Sequence, residues 1–300
     1  MKLWRAWVAL WDRREPATGL AIVRIAIAAV LLVDYLWCAK IGMVHALWSA
    51  PPVGYAAADG VMWYGVLVGA LVALGVGAAT PLACIAVAVS SAHLSAIAPD
   101  NEAASDVLVR IVAVILAFSR CNAVWSVDAW LLRRLGRPMG TEVPAWPRYL
   151  IMLQLVWMYF SGAQNKSSAE WGSFGGFTAL ANALMDPHAG RLPVGLVSAV
   201  YPLTRVATAL TMAFEWGAPL YLVAYFASER SPRRVWPGMR WVWLGLGVSF
   251  ELGIAIGLKL GSFPYVMLAI FPVLLKPEEI AAALQRLKTR VPAKRASSPS

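Results

Sequence analysis

The stretch YLIMLQLVWMYF, residues 149–160, carries no charge. The helix predicted over 148–165 is long enough, at ~1.5 Å per residue, to traverse most of a hydrocarbon core of about 30 Å. Comparable runs recur near 18–38, 61–79, 81–98, 106–123, 205–226, 240–258 and 262–275. Composition agrees. The chain is 60% hydrophobic and 14% charged, whereas soluble domains are about half apolar and about a quarter charged. The expected fold is an all-α, polytopic, integral membrane helical bundle of about eight transmembrane helices. It occupies residues 17–276, after an interfacial amphipathic helix (1–16) and before a cytoplasmic tail (277–300).

The net charge of +10 would suit a nucleic-acid binder, but its distribution does not. Nineteen of the 26 lysines and arginines fall in four segments, 2–14, 120–148, 230–240 and 276–295. The alternate connections hold Lys40, Lys166, Arg191, Arg205 and Lys259. Cations collect on the cytoplasmic side of membrane proteins, so both termini are expected to be cytoplasmic, in a bacterial-type inner or plasma membrane. The lipid bilayer is then the partner, and no nucleic acid is needed. Trp4, Trp7, Val8 and Trp11 share one helical face, as suits a helix lying in the inner interface. The first apolar helix is long and lacks a clear small-residue cleavage site, so no cleavable signal is expected.

Cys38, Cys84 and Cys121 have no CxxC spacing, and His45, His93 and His188 no metal-ligand spacing, so no metal is predicted. No internal repeat or interrupted-helix pair is visible, which argues against a transporter. The 120–148 segment, with five arginines and three prolines, reads as an inner loop. The 166–204 connection is half apolar. FGGFTALANALM (174–185) suits a short helix and LPVGLVSAVYPL (192–203) is too short to span, so the segment could lie over a cavity as a lid.

Charges within the hydrocarbon are costly and are read as functional or paired. Asp34, His93, Asp106, Arg110 and Lys166 fall in the outer half, with Glu215 and Glu251 near mid-membrane on adjacent helices. Asp106 and Arg110, four apart, share a face and can pair. Arg24 lies close enough to the inner surface to snorkel. Glu215 and Glu251 cannot, so each must meet a cation, stay protonated or line water. Gln154 and Tyr159 could face the same outward-opening cavity. Lys166 follows an uncharged run in GAQNKSSAEW (162–171), and read alone it is either an interfacial anchor or chemistry.

Four stretches together resemble one family: VRIAIAAVLLVD (23–34), VWSVDAWL (124–131), QLVWMYFSGAQNKSSAEW (154–171) and SFPYVMLAIFPVLLKPEE (262–279). In order and spacing they are similar to the transmembrane, or HTTM, domain of the vitamin K-dependent gamma-carboxylases, over roughly residues 10–285. The resemblance implies that Lys166 is the base that deprotonates a reduced quinone like vitamin K hydroquinone. The quinolate then reacts with oxygen and drives proton abstraction from a glutamate side chain, which takes up carbon dioxide. Asn165 stands where the carboxylases have a second lysine. Ser105 and Asp106 stand where they have a histidine at the start of the fourth helix. The large extramembrane domain that captures protein substrates has no counterpart, so carboxylation of a propeptide-bearing protein is not expected.

A lysine is a base only when neutral. Bringing one from about 10.4 toward about 7–8 requires a site that excludes water, a task for the 166–204 segment. Two functions follow from different classes. One is an enzyme acting on a lipophilic quinol, with Lys166 catalytic and Glu215, Glu251, Asp34, Asp106, Arg110, Gln154 and Tyr159 lining the cavity or relaying protons. The other is a non-enzymatic scaffold or maturation partner that holds a small protein, peptide or lipid.

Overall fold

The computed structural model describes residues 2–37, 57–99, 102–230 and 235–290. Cys38, Lys40, His45, Arg233, Arg234, Lys294, Arg295 and the AKRASSPS terminus lie outside them. Fourteen α-helices occur among the described residues. The first, α1 (Lys2–Trp11), leaves Trp4 and Trp7 exposed while Trp11 packs edge-on against Tyr149. Helices α2 (Thr18–Trp37), α3 (Ala57–Val76), α4 (Thr80–Ile97) and α5 (Ala104–Ala117) pack as sequential neighbours. A short α6 (Val127–Arg134) precedes α7 (Trp146–Asn165), the opening stretch of sequence in its structural setting.

Beyond α7, two short helices, α8 (Ala179–Met185) and α9 (Val194–Ala199), lead into α10 (Tyr201–Trp216). Helices α11 (Ala218–Arg230), α12 (Val235–Gly257) and α13 (Phe263–Ile270) follow. A 3-10 turn over Phe271–Leu274 and α14 (Pro277–Arg290) complete the described chain. The core is aliphatic and aromatic, with Leu67, Leu71, Leu116, Tyr149, Met152 and Leu155 all buried. Large apolar side chains also point outward: Leu82, Trp157 and Val242 are each more than half exposed. That is the surface of a bundle whose solvent is lipid, since water would penalise it.

Helices α2, α4, α12 and most of α3 are long and apolar enough to cross a bilayer, and α10 with α11 makes a fifth if the bent pair is one span. The other predicted segments are helical but fall short of that standard. Helix α5 has 14 residues, α13 with its 3-10 turn is a short apolar unit, and α7 is diluted by Arg148, Gln154 and Asn165. Eight full-length crossings are therefore not established.

Three sequence expectations change. The 205–226 helix is broken, with a 56° bend between α10 and α11. Pro219 has no N–H for the Glu215 carbonyl one turn back. At Gly217 a Cβ would lie 2.7 Å from the Ala213 carbonyl oxygen, so the tight turn needs a residue without one. The 120–148 segment is not simply loop, since it contains α6 and a strand β2 (Glu142–Pro144) that pairs antiparallel with β1 (Arg14–Pro16).

Arg24 does not snorkel; it is fully buried. Its guanidinium donates to the carbonyls of Leu74 (2.7 Å) and Trp125 (2.6 Å). It thereby satisfies the end of α3, where helix carbonyls lack partners and the dipole favours a cation. The VWSVDAWL stretch completes this hub. Ser126 caps α6 by accepting from the Ala129 N–H at 2.9 Å. Asp128 accepts from the N–H groups of Ala79 and Thr80 at the start of α4, and from Asn122 Nδ2. On the same side of the bundle Arg148 is buried in a bidentate pair with Glu15 and donates to the Tyr225 hydroxyl.

Candidate functional site

Lys166 is the residue on which α7 stops. Its backbone N–H bonds the Ala163 carbonyl and the chain then turns into a 3-10 helix at Ala169–Trp171. The side chain runs back along the final turn, placing Nζ 3.4 Å from the Gly162 carbonyl oxygen. From there Nζ donates to both carboxylate oxygens of Glu215, each at 2.7 Å. The Trp171 ring lies 5.2 Å from the amine, within cation–π range. The Glu215 side chain is only 4% exposed and that of Lys166 is 22% exposed. The acid is thus enclosed while the amine retains one open side. Glu170 is exposed, because the helix does not continue to it; Glu215 is the acid that holds Lys166.

Glu215 owes its place to the break in α10–α11, since it sits one residue before the helix ends at Trp216. Across the break, Trp243 Nε1 of α12 donates to the Phe214 carbonyl at 3.0 Å. The turn is held by side chains as well as backbone. Seven residues before Lys166, and so on the same face of α7, Tyr159 donates to Oε1 of Glu251 on α12. Both are buried, and Glu251 Oε2 has no hydrogen-bond partner among the described residues. Around Tyr159 lie the rings of Phe214 at 4.7 Å, Trp243 at 5.9 Å and Phe250 at 6.2 Å. Glu215 is close enough to act electrostatically on both Tyr159 and Glu251.

The other sequence candidates lie elsewhere. Asp34 accepts from Ser262 Oγ at 2.6 Å, joining α2 to the start of α13 beside a crevice of about 590 Å³ that Arg191 also lines. Asp106 accepts from the Ala103 N–H at 2.8 Å and so caps its own helix, α5. Arg110 reaches back to Glu102. Asp34, Asp106 and Arg110 all act electrostatically on Tyr35, so they form a second polar group built from α2, α5 and α13. His93 stacks beside Trp63 at 4.7 Å. Gln154 is half-buried and is not brought to Lys166. Five residues before Tyr159, it faces some 140° away around a helix of ~3.6 residues per turn.

An apolar cavity of about 290 Å³ adjoins the site between α10 and α12, beneath Leu180 and Leu184 of α8. Phe214 and Phe250 form its wall toward Tyr159; Lys166 itself does not line it. Sequence reasoning found Lys166, Glu215, Glu251 and Tyr159 singly. It missed Trp171, Phe214 and Phe250, whose only signal was adjacency to the charged residues.

Four helices long and apolar enough to cross a bilayer, with an enclosed carboxylate and a partly open lysine paired at helix ends, mark an integral membrane protein with a polar site in the bundle. The family model for the HTTM domain matches residues 12–278, so the chain belongs to that family, the transmembrane domain of the vitamin K-dependent gamma-carboxylases. Comparison with the curated proteins and with the solved structures gave no match.

Proposed function

We propose that this protein is a membrane-embedded enzyme that acts on a lipophilic quinol, with Lys166 as the base and Glu215 as its proton-sharing partner. The observation that carries the reading is the Lys166–Glu215 contact, two bonds of 2.7 Å to a nearly enclosed carboxylate. A charged pair out of water is stabilised by its mutual attraction but penalised for lost hydration. Moving one proton from amine to carboxyl leaves a neutral pair at the same separation and removes that penalty. Lys166 is then free to accept a hydroxyl proton; the ammonium so formed is balanced by the quinolate and stays within hydrogen-bond distance of the Glu215 carboxyl, which still carries the first proton. The quinol supplies the acidic hydroxyl and, once deprotonated, reactivity toward oxygen.

Tyr159 and Glu251 hold a second, deeper proton position in this reading. A carboxyl without exposure and with a single donor is poorly suited to carry charge in such surroundings, and its nearness to Glu215 suits a store or relay. Asp34, Asp106 and Arg110 form a separate outer group and have no step here. The cation distribution supports cytoplasmic termini and an outward-opening site.

Mass spectrometry of lipophilic molecules extracted from purified protein tests the reading. The expected result is a quinone recovered in stoichiometric amount. Repeated recovery of one peptide or protein partner with no quinone would instead support the scaffold function.

A further inference from the structure

The cavity between α10 and α12 has no role in the proton chemistry, yet it touches the site. Among the described residues no charged side chain lines it, and Thr211 and Ser249 supply the side-chain hydroxyls. A ring bearing two hydroxyls would find few partners there, whereas a hydrocarbon chain needs none. Two features open it sideways. Ser249, Gly253 and Ile256 line it and are exposed on a helix apolar enough to span the bilayer. Gly253 also leaves room, since a Cβ built there meets nothing within 4 Å. At its other end stand Phe214 and Phe250, with ring centroids 5.4 Å apart, each the chain neighbour of a site acid.

We infer that this cavity is a lateral portal and seat for the hydrocarbon tail of the substrate, an isoprenoid or comparable aliphatic chain. The chain enters from the bilayer past Gly253 and Ile256, beneath Leu180 and Leu184. Seated there, it directs the head group toward the edge of Phe214 and the Lys166–Glu215 pair. The Phe214 and Phe250 rings close the inner end, keeping the tail from Tyr159 and Glu251. This deepens the quinol reading and rests on it for the head group alone; the tail seat stands on the cavity's own lining.

The test is photolabelling of purified, detergent-solubilised protein with a geranylgeraniol analogue bearing a diazirine, which has no quinol head. Label should map to peptides of α10 and α12. Gly253→Trp, which fills the open side, should reduce it about tenfold. Leu184→Trp, from the roof, should do the same and guards against misfolding of the first variant, with an unchanged gel-filtration profile required of both. Label spread evenly over all lipid-facing helices, or undiminished in both folded variants, would overturn the portal. Lys166→Ala should leave labelling intact. Loss of the catalytic reading through full turnover in Lys166→Ala is thereby separable from loss of the portal.

Discussion

A carboxyl group with no exposure and one hydrogen-bond donor depends heavily on that donor. Among the described residues Glu251 has the Tyr159 hydroxyl as its one donor, and its second oxygen has none. Tyr159→Phe should therefore lower stability by about 1–3 kcal/mol, the cost of stranding a buried polar group. Adding Glu251→Met should restore most of the loss, because replacing both partners with apolar groups of similar size is nearly neutral. Thermal unfolding in detergent measures both; a double variant no more stable than Tyr159→Phe would contradict the pairing. At this scale the sequence was half legible. Lys166, Glu215 and Glu251 were each conspicuous as charges among apolar residues. That Lys166 and Glu215 meet was not visible, because they lie 49 residues apart and the meeting depends on where α10 breaks. The misplacement of Gln154 was visible in principle, since helical spacing alone turns it away from Tyr159 and Lys166.

At the scale of elements, Asp128 links α6 to α4. Burial works against its charge. Hydrogen bonds from Thr80, Asn122 and Ala79 outweigh that and hold the carboxyl below its ordinary value of 3.8. A carboxyl whose folded value is depressed stabilises the fold above its unfolded value, and that stability is lost as pH falls through the folded one. Stability should therefore decline on acidification below about pH 4, and Asp128→Asn should show less of that decline. Asp128→Ala should also cost about 0.5–2 kcal/mol at neutral pH through loss of the helix cap. An identical acid profile in wild type and Asp128→Asn, followed by circular dichroism, would remove Asp128 from this role. The residues of VWSVDAWL were recognisable as a motif. Their task was not, because the backbone groups they cap belong to α4 and their neighbour Arg24 comes from α2.

For the whole molecule, the apolar runs located the helices, because in a bilayer every backbone group must bond within its own segment, although the 106–123 run overshoots α5, which ends at Ala117, and the 205–226 run covers two helices. What escaped the sequence was produced by local chemistry superimposed on that pattern. Pro219 and Gly217 break one span. Arg24 turns inward because the end of α3 offers it carbonyls, and the β1–β2 ribbon pairs segments far apart in the chain. The break matters most for function, since Glu215, one residue before the end of α10, meets Lys166 at the end of α7.

In the proposed reaction the Lys166–Glu215 pair moves the substrate's proton. Oxygen-dependent oxidation of a reduced naphthoquinol by purified wild-type protein and by folded Lys166→Ala measures it most directly. The variant should lose about 10²–10⁴-fold in rate, the usual contribution of a positioned acid or base. Equal rates in the two proteins would contradict it.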